Sequence, residues 1–192
     1  TKKKSIEHIR TAQNLGINNF GENYAQELEE KANNIDENLY WHFIGPLQSN
    51  KAKIIAKYAD WIHTIDRKKI ADKINEECKK INKIINACIQ VNISNESTKS
   101  GINPENLMIF AKYVDSMENI NLKGIMALPK LTNDKIEQAK TMESVKNLSL
   151  KLQSSYPDAT SVSLGTTSDF ETAIIHGSTM LRIGESIFGK RL

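Results

Sequence analysis

Short apolar runs alternate along this chain with segments whose apolar residues recur every three or four positions, and the alternation is sustained from Ile17 to Ile183. The runs are Ile17–Phe20, Trp41–Gly45, Trp61–Ile65, Ile84–Ile93, Leu122–Leu128, Thr160–Leu164 and Met180–Ile183. Between them the spacing predicts helices over Tyr24–Ala32, Ser49–Tyr58, Arg67–Ile81, Pro104–Ser116, Asp134–Ser155 and Asp169–Ile175. A further helix precedes the first run, capped by Ser5 and stopped at Gly16. Strands joined by crossover helices are parallel and buried on both faces, which is why these runs are nearly continuous in apolar character. One more strand before Thr1 would complete eight, so the expected fold class is α/β, a (β/α)8 TIM barrel. Thr1-Lys2-Lys3-Lys4 leads straight into a helical pattern with no start methionine. The expectation is therefore one barrel domain over 1–192, with its first strand largely missing from the sequence. An open doubly wound sheet is the alternative, and the lack of a GxGxxG after the first run weakens its nucleotide-binding form.

Composition narrows the function classes. With 39% hydrophobic residues, 192 residues suffice for one buried core. The net charge of +3 arises from 26 basic and 23 acidic residues that are interspersed, so no nucleic-acid surface is expected. The apolar runs are far shorter than the ~20 residues of a membrane helix, and there is no signal-peptide core at the start, so the expected location is cytoplasmic. Cys78 and Cys88 have no metal-ligand or CxxC spacing and are expected to be buried or idle thiols.

Reactive groups of a parallel barrel lie at the C-terminal ends of its strands and in the loops that follow. Here those positions hold Asn23; Gly45 with Gln48, Ser49, Asn50 and Lys51; Thr64 and Asp66; Asn92, Ser94, Lys99, Ser100 and Gly101; Gly165-Thr166-Thr167-Ser168-Asp169; and Arg182-Ile183-Gly184-Glu185-Ser186. The last two clusters have the makings of an anion site, since glycine admits backbone N–H groups close to a phosphate. They read equally as a capped turn. Lys2 likewise reads as a solvated charge beside Lys3 and Lys4, or, at the end of a first strand, as an amine facing the barrel mouth and able to form a Schiff base. Arg182 in that mouth would set a permanent positive charge against a bound ring.

The motifs Phe20-Gly21-Glu22-Asn23-Tyr24, Trp41-His42-Phe43-Ile44-Gly45-Pro46-Leu47-Gln48-Ser49-Asn50-Lys51, Ile89-Gln90-Val91-Asn92-Ile93, Lys99-Ser100-Gly101 and Gly177-Ser178-Thr179-Met180-Leu181-Arg182-Ile183-Gly184 occur in this order. Together they resemble the pyridoxal 5′-phosphate (PLP) homeostasis family, over Thr1 to Arg191. The resemblance implies a fold-type III PLP barrel, similar to the N-terminal domain of alanine racemase, with PLP as cofactor. It places the Schiff-base lysine at Lys2, the phosphate at Thr167 and the backbone of Gly184 and Glu185, and Arg182 near the pyridine nitrogen. Asn23 and His42 are implied to line the mouth. Two departures stand out: Thr166-Thr167-Ser168-Asp169 replaces a Met-Ser-Asp-Asp pattern, and Glu185 replaces a small residue, so its carboxylate must point away from the phosphate. Racemases of this fold add a β-rich domain carrying a catalytic tyrosine, whereas only Phe188-Gly189-Lys190-Arg191-Leu192 follows the last strand here. The expectation is a monomeric, non-catalytic PLP carrier, with PLP-dependent apo-enzymes as possible recipients; a weak amino-acid racemase is the alternative.

Overall fold

The computed structural model describes residues 1–35, 39–94, 96 and 100–189. Lys99, Lys190, Arg191 and Leu192, singled out above, lie outside the described residues. Among the described residues, seven strands form one parallel sheet in sequential order: β1 (Asn19–Glu22), β2 (Tyr40–Phe43), β3 (Trp61–Ile65), β4 (Ile85–Val91), β5 (Ile120–Ala127), β6 (Ser161–Thr166) and β7 (Met180–Arg182). The sheet curls into a nearly closed barrel whose edges are β1 and β7. The helices alternating with the strands are α1 (Ile6–Asn14), α2 (Ala25–Asn34), α3 (Ala52–Tyr58), α4 (Lys68–Lys80), α5 (Leu107–Asp115), α6 (Lys135–Gln153), α7 (Phe170–Ile175) and α8 (Glu185–Phe188). None is long and apolar enough to cross a membrane.

Sequential parallel order is what short crossover helices impose, since each helix must return the chain to the same end of the sheet. Capping residues set helix starts. The Ser5 hydroxyl accepts from the His8 amide at 3.4 Å, and the Asp134 carboxylate accepts from the amides of Ile136 and Glu137 at 2.8 and 3.3 Å. Successive strand residues face opposite sides, so Trp41, Phe43, Ile62, Val162 and Leu164 are buried while the residues between them face the barrel axis.

Several boundaries differ from the periodicity reading. The first strand begins at Asn19 instead of Ile17, which packs at the edge of the core. The sixth continues through Gly165 to Thr166, which pairs with Arg182 after a shift of register between Ser163 and Thr166. The φ of Gly165 is +95°, and a Cβ there would lie 2.6 Å from the Ala173 Cβ, so glycine lets β6 and α7 approach. The four-residue α8 gave no periodic signal because it is barely one turn long. On α6 the polar Gln138 and Ser149 are buried together with Met142, Val145 and Leu152.

Candidate functional site

A cavity of about 720 Å³ opens at the barrel mouth between the edge strands. Lys2, Asn23, His42, Thr167, Arg182, Gly184 and Glu185 all line it, although they come from the two ends of the chain and from three different strand ends. The other polar strand ends do not. Thr64 donates to the Gly45 carbonyl at 2.7 Å, Arg67 to Asp66 and to the Leu47 carbonyl, Gln90 to the Ser100 carbonyl, and Asn92 to the Glu96 carbonyl; these bonds hold loops to one another. Burial raises the Asp66 pKa even though Arg67 opposes it.

The segment bearing Lys2 is fixed from outside the barrel. Glu22, fully buried on the outer face of β1, pairs with Lys31 of α2 at 2.7 Å, and Lys31 also reaches Glu27 at 3.0 Å. Lys31 donates to the Thr1 carbonyl at 2.9 Å, and the Lys3 amide donates to Glu27 at 2.8 Å, so the peptide groups on both sides of Lys2 are held by one charged cluster. Burial disfavours the Glu27 charge, but the Lys3 amide and Lys31 outweigh it and lower its pKa. The Thr1 hydroxyl completes the cluster by bonding Glu22. Lys2 itself extends over the Tyr24 ring, 4.9 Å from its centroid. Of the neighbouring lysines, Lys3 is exposed and outside the cavity lining, while the Lys4 ammonium, which does line the cavity, donates to the Phe188 carbonyl at 2.6 Å.

Across the mouth, the Asp169 carboxylate accepts from the Thr166 amide at 2.6 Å and from its hydroxyl at 2.8 Å. Thr166 is thereby committed to the turn. The Thr167 hydroxyl has no hydrogen-bond partner among the described residues and remains available to a ligand. The first amides of α8, at Glu185 and Ser186, have no intrahelical acceptor. A Cβ at Gly184 would meet nothing within 4 Å, so the backbone there borders open space. A hydroxyl and two free amides on one side, with a lysine amine opposite, suit a small phosphorylated ligand.

Between them stands Arg182. Its guanidinium donates to the Ser163 hydroxyl at 2.5 Å and to the Ala127 carbonyl at 2.9 Å. Burial lowers its pKa to about 10, with Asp169 and Cys88 opposing, which leaves it a cation at neutral pH. His42 lies deeper than a mouth residue. Its ring bonds His63 at 2.9 Å and Asn19 at 3.0 Å and stacks on Trp61. Burial pulls its pKa from 6.5 to about 4. His63 and Asn19 also line the cavity, and neither was singled out from sequence. The signal for His63 was a titratable residue in the middle of the short strand Trp-Ile-His-Thr-Ile.

The family described as "Alanine racemase, N-terminal domain" matches residues 3–191. A relative from Pasteurella multocida named "Pyridoxal phosphate homeostasis protein" is 44% identical across the whole of this chain, which covers 84% of that relative. The protein of the same name from Escherichia coli is 40% identical, again across the whole chain and 83% of the relative. PipY of Synechococcus elongatus, solved with PLP bound, superposes with a TM-score of 0.90 at 28% identity, covering 98% of this chain and 89% of that one. Alanine racemase of Clostridium difficile shares the fold at 17% identity, with a TM-score of 0.84 over 97% of this chain and 51% of its own. The chain belongs to the pyridoxal phosphate homeostasis proteins, within the alanine racemase N-terminal domain family.

Proposed function

We propose that this protein binds and carries PLP, holding its aldehyde covalently on Lys2, as one PLP-binding domain over 1–192. One observation carries the reading: Lys2, Thr167, Arg182 and the α8 backbone line the same 720 Å³ cavity. PLP, when bound, supplies an electrophilic aldehyde that a lysine amine can hold reversibly. Lys2 provides that amine from a backbone held by Lys31 and Glu27. Thr167 and the backbone of Gly184 and Glu185 would provide donors for the phosphate, with Gly184 leaving the approach open. Arg182 would set a fixed cation against the pyridine nitrogen, a charge that would disfavour that nitrogen's protonation. Asn23 and His42, which line the same cavity, would border the ring. The names of the relatives favour a homeostatic carrier over an enzyme. We assign it to the cytoplasm as a monomer, with PLP-dependent apo-enzymes as recipients.

The test is an absorption spectrum with added PLP, followed by borohydride reduction and peptide mass mapping. A new band in the visible–near-UV region and a reduced adduct on Lys2, both absent in Lys2→Ala, are expected. A band and adduct that persist in Lys2→Ala would move the role to another lysine, and no PLP uptake would refute the reading. Exchange of the α-hydrogen of alanine in deuterated water above the Lys2→Ala control would favour a racemase instead of a carrier.

A further inference from the structure

Inside the barrel, five polar side chains from five strands are joined end to end. Arg182 reaches the Ser163 Oγ at 2.5 Å, and that oxygen lies 2.7 Å from His63 Nδ1. His63 Nε2 lies 2.9 Å from His42 Nδ1, and His42 Nε2 lies 3.0 Å from Asn19 Oδ1. The two imidazoles are 3% and 9% exposed for His63 and His42, and Ser163 is fully buried.

The direction of every bond in this chain follows from its ends. Arginine can only donate, so the Ser163 oxygen accepts; its own proton is fully buried, and His63 Nδ1 is the acceptor the structure gives it, so the proton turns there. An accepting Nδ1 puts the His63 proton on Nε2, where it is donated to His42 Nδ1. The same step leaves the His42 proton on Nε2, facing Asn19. The orientation of the Asn19 amide is set separately, because its Nδ2 donates to Asn18 Oδ1 at 2.9 Å, which turns Oδ1 toward His42 as an acceptor. Both ends demand the same polarity, and one assignment satisfies all four bonds.

We propose that His63, with His42 behind it, acts through Ser163 as a positioning residue that fixes the Arg182 guanidinium, with both imidazoles neutral and protonated at Nε2. The inference concerns how Arg182 is held and rests on the carrier reading only for what Arg182 then does. By accepting the hydrogen bond of the Ser163 hydroxyl, His63 leaves that oxygen's lone pairs to Arg182. The Ala127 carbonyl takes a second N–H at 2.9 Å, and two acceptors at different points fix the plane of a rigid fork. A second positive charge is disfavoured in the same place: burial, His42 and Arg182 together hold the His63 pKa well below its usual value. A protonated His63 would also turn an N–H toward Ser163 and remove the acceptor of that buried hydroxyl's proton.

The wild-type protein without ligand supplies the first test. Two-bond ¹⁵N–¹H correlation spectra near neutral pH are expected to show both His42 and His63 as Nε2–H tautomers. A proton on Nδ1 of His63, or an imidazolium at either residue, overturns the proposal. The second test follows rotation of the Arg182 guanidinium by ¹⁵N exchange spectroscopy. Loss of a hydrogen bond to a charged group corresponds to about tenfold or more, so Ser163→Ala and His63→Phe are expected to speed rotation by about that factor. His63→Gln, which keeps an acceptor, is expected to stay near wild type. A purely structural role would lower thermal stability and leave the Arg182 rate unmoved, and that result overturns the proposal. Correct tautomers and a fixed Arg182 in a protein that takes up no PLP would refute the carrier reading and leave this one standing.

Discussion

Acidification should destabilise this protein well before its carboxylates titrate, because the folded chain keeps two buried imidazoles neutral. An unfolded chain protonates His42 near 6.5, whereas in the fold burial, only partly offset by Asp60, delays this to about 4. As pH falls through that interval the unfolded state binds the proton first, so the stabilising contribution is complete above about 6.5 and is lost toward about 4. At about 1.36 kcal/mol per pKa unit the whole effect is about 3 kcal/mol, of which about 2 kcal/mol is lost between about pH 8 and pH 5. His63 is shifted in the same direction by burial, His42 and Arg182, and adds to the loss. Urea unfolding followed by circular dichroism at several pH values measures the slope directly. His42→Asn should flatten it by the His42 share. Asp66, whose pKa burial raises, acts in the opposite sense, and an Asp66→Asn control separates the two. An unfolding free energy that is level or rising between about pH 8 and pH 5 would refute the neutral, buried histidine pair.

Lys31→Met removes the cation that pairs the fully buried Glu22 and is expected to cost about 3–5 kcal/mol in urea unfolding. The same change removes one of the hydrogen bonds to the Thr1 carbonyl and the cation beside Glu27, the acceptor of the Lys3 amide, so amide exchange of Lys3 should accelerate. Gly45→Ala would set a Cβ 2.0 Å from the Asn23 carbonyl oxygen, where only backbone movement relieves the clash. Its melting temperature should fall, and the Asn23 and Asn19 resonances of the cavity wall should shift; an unchanged spectrum would contradict the packing. Cys78 and Cys88 are fully buried, and burial raises their pKa values to about 11 and about 12. Ellman's reagent should leave both unreacted in the native protein near neutral pH and titrate both in denaturant.

The alternation of apolar runs with amphipathic segments determined the fold class, because period and run length are local properties that a parallel barrel turns into strands and crossovers. The same local signals placed Lys2, Thr167, Arg182 and Gly184 at strand ends and loops, hence at one mouth. Glu22 and Lys31 read as ordinary surface charges of a motif and a helix, and only the packing of α2 on β1 makes them a buried pair around the Lys2 backbone. His63 and Ser163 are separated by 100 positions, so nothing in either strand indicates that they touch. Barrel closure brings β3 and β6 face to face across the axis, and the polarity of their hydrogen bonds then follows from Arg182 at one end and Asn19 at the other. Sequence determines which residues can donate, accept or react; the curvature of the sheet decides which of them meet, because contact across a barrel axis depends on radius and register, which no local pattern encodes.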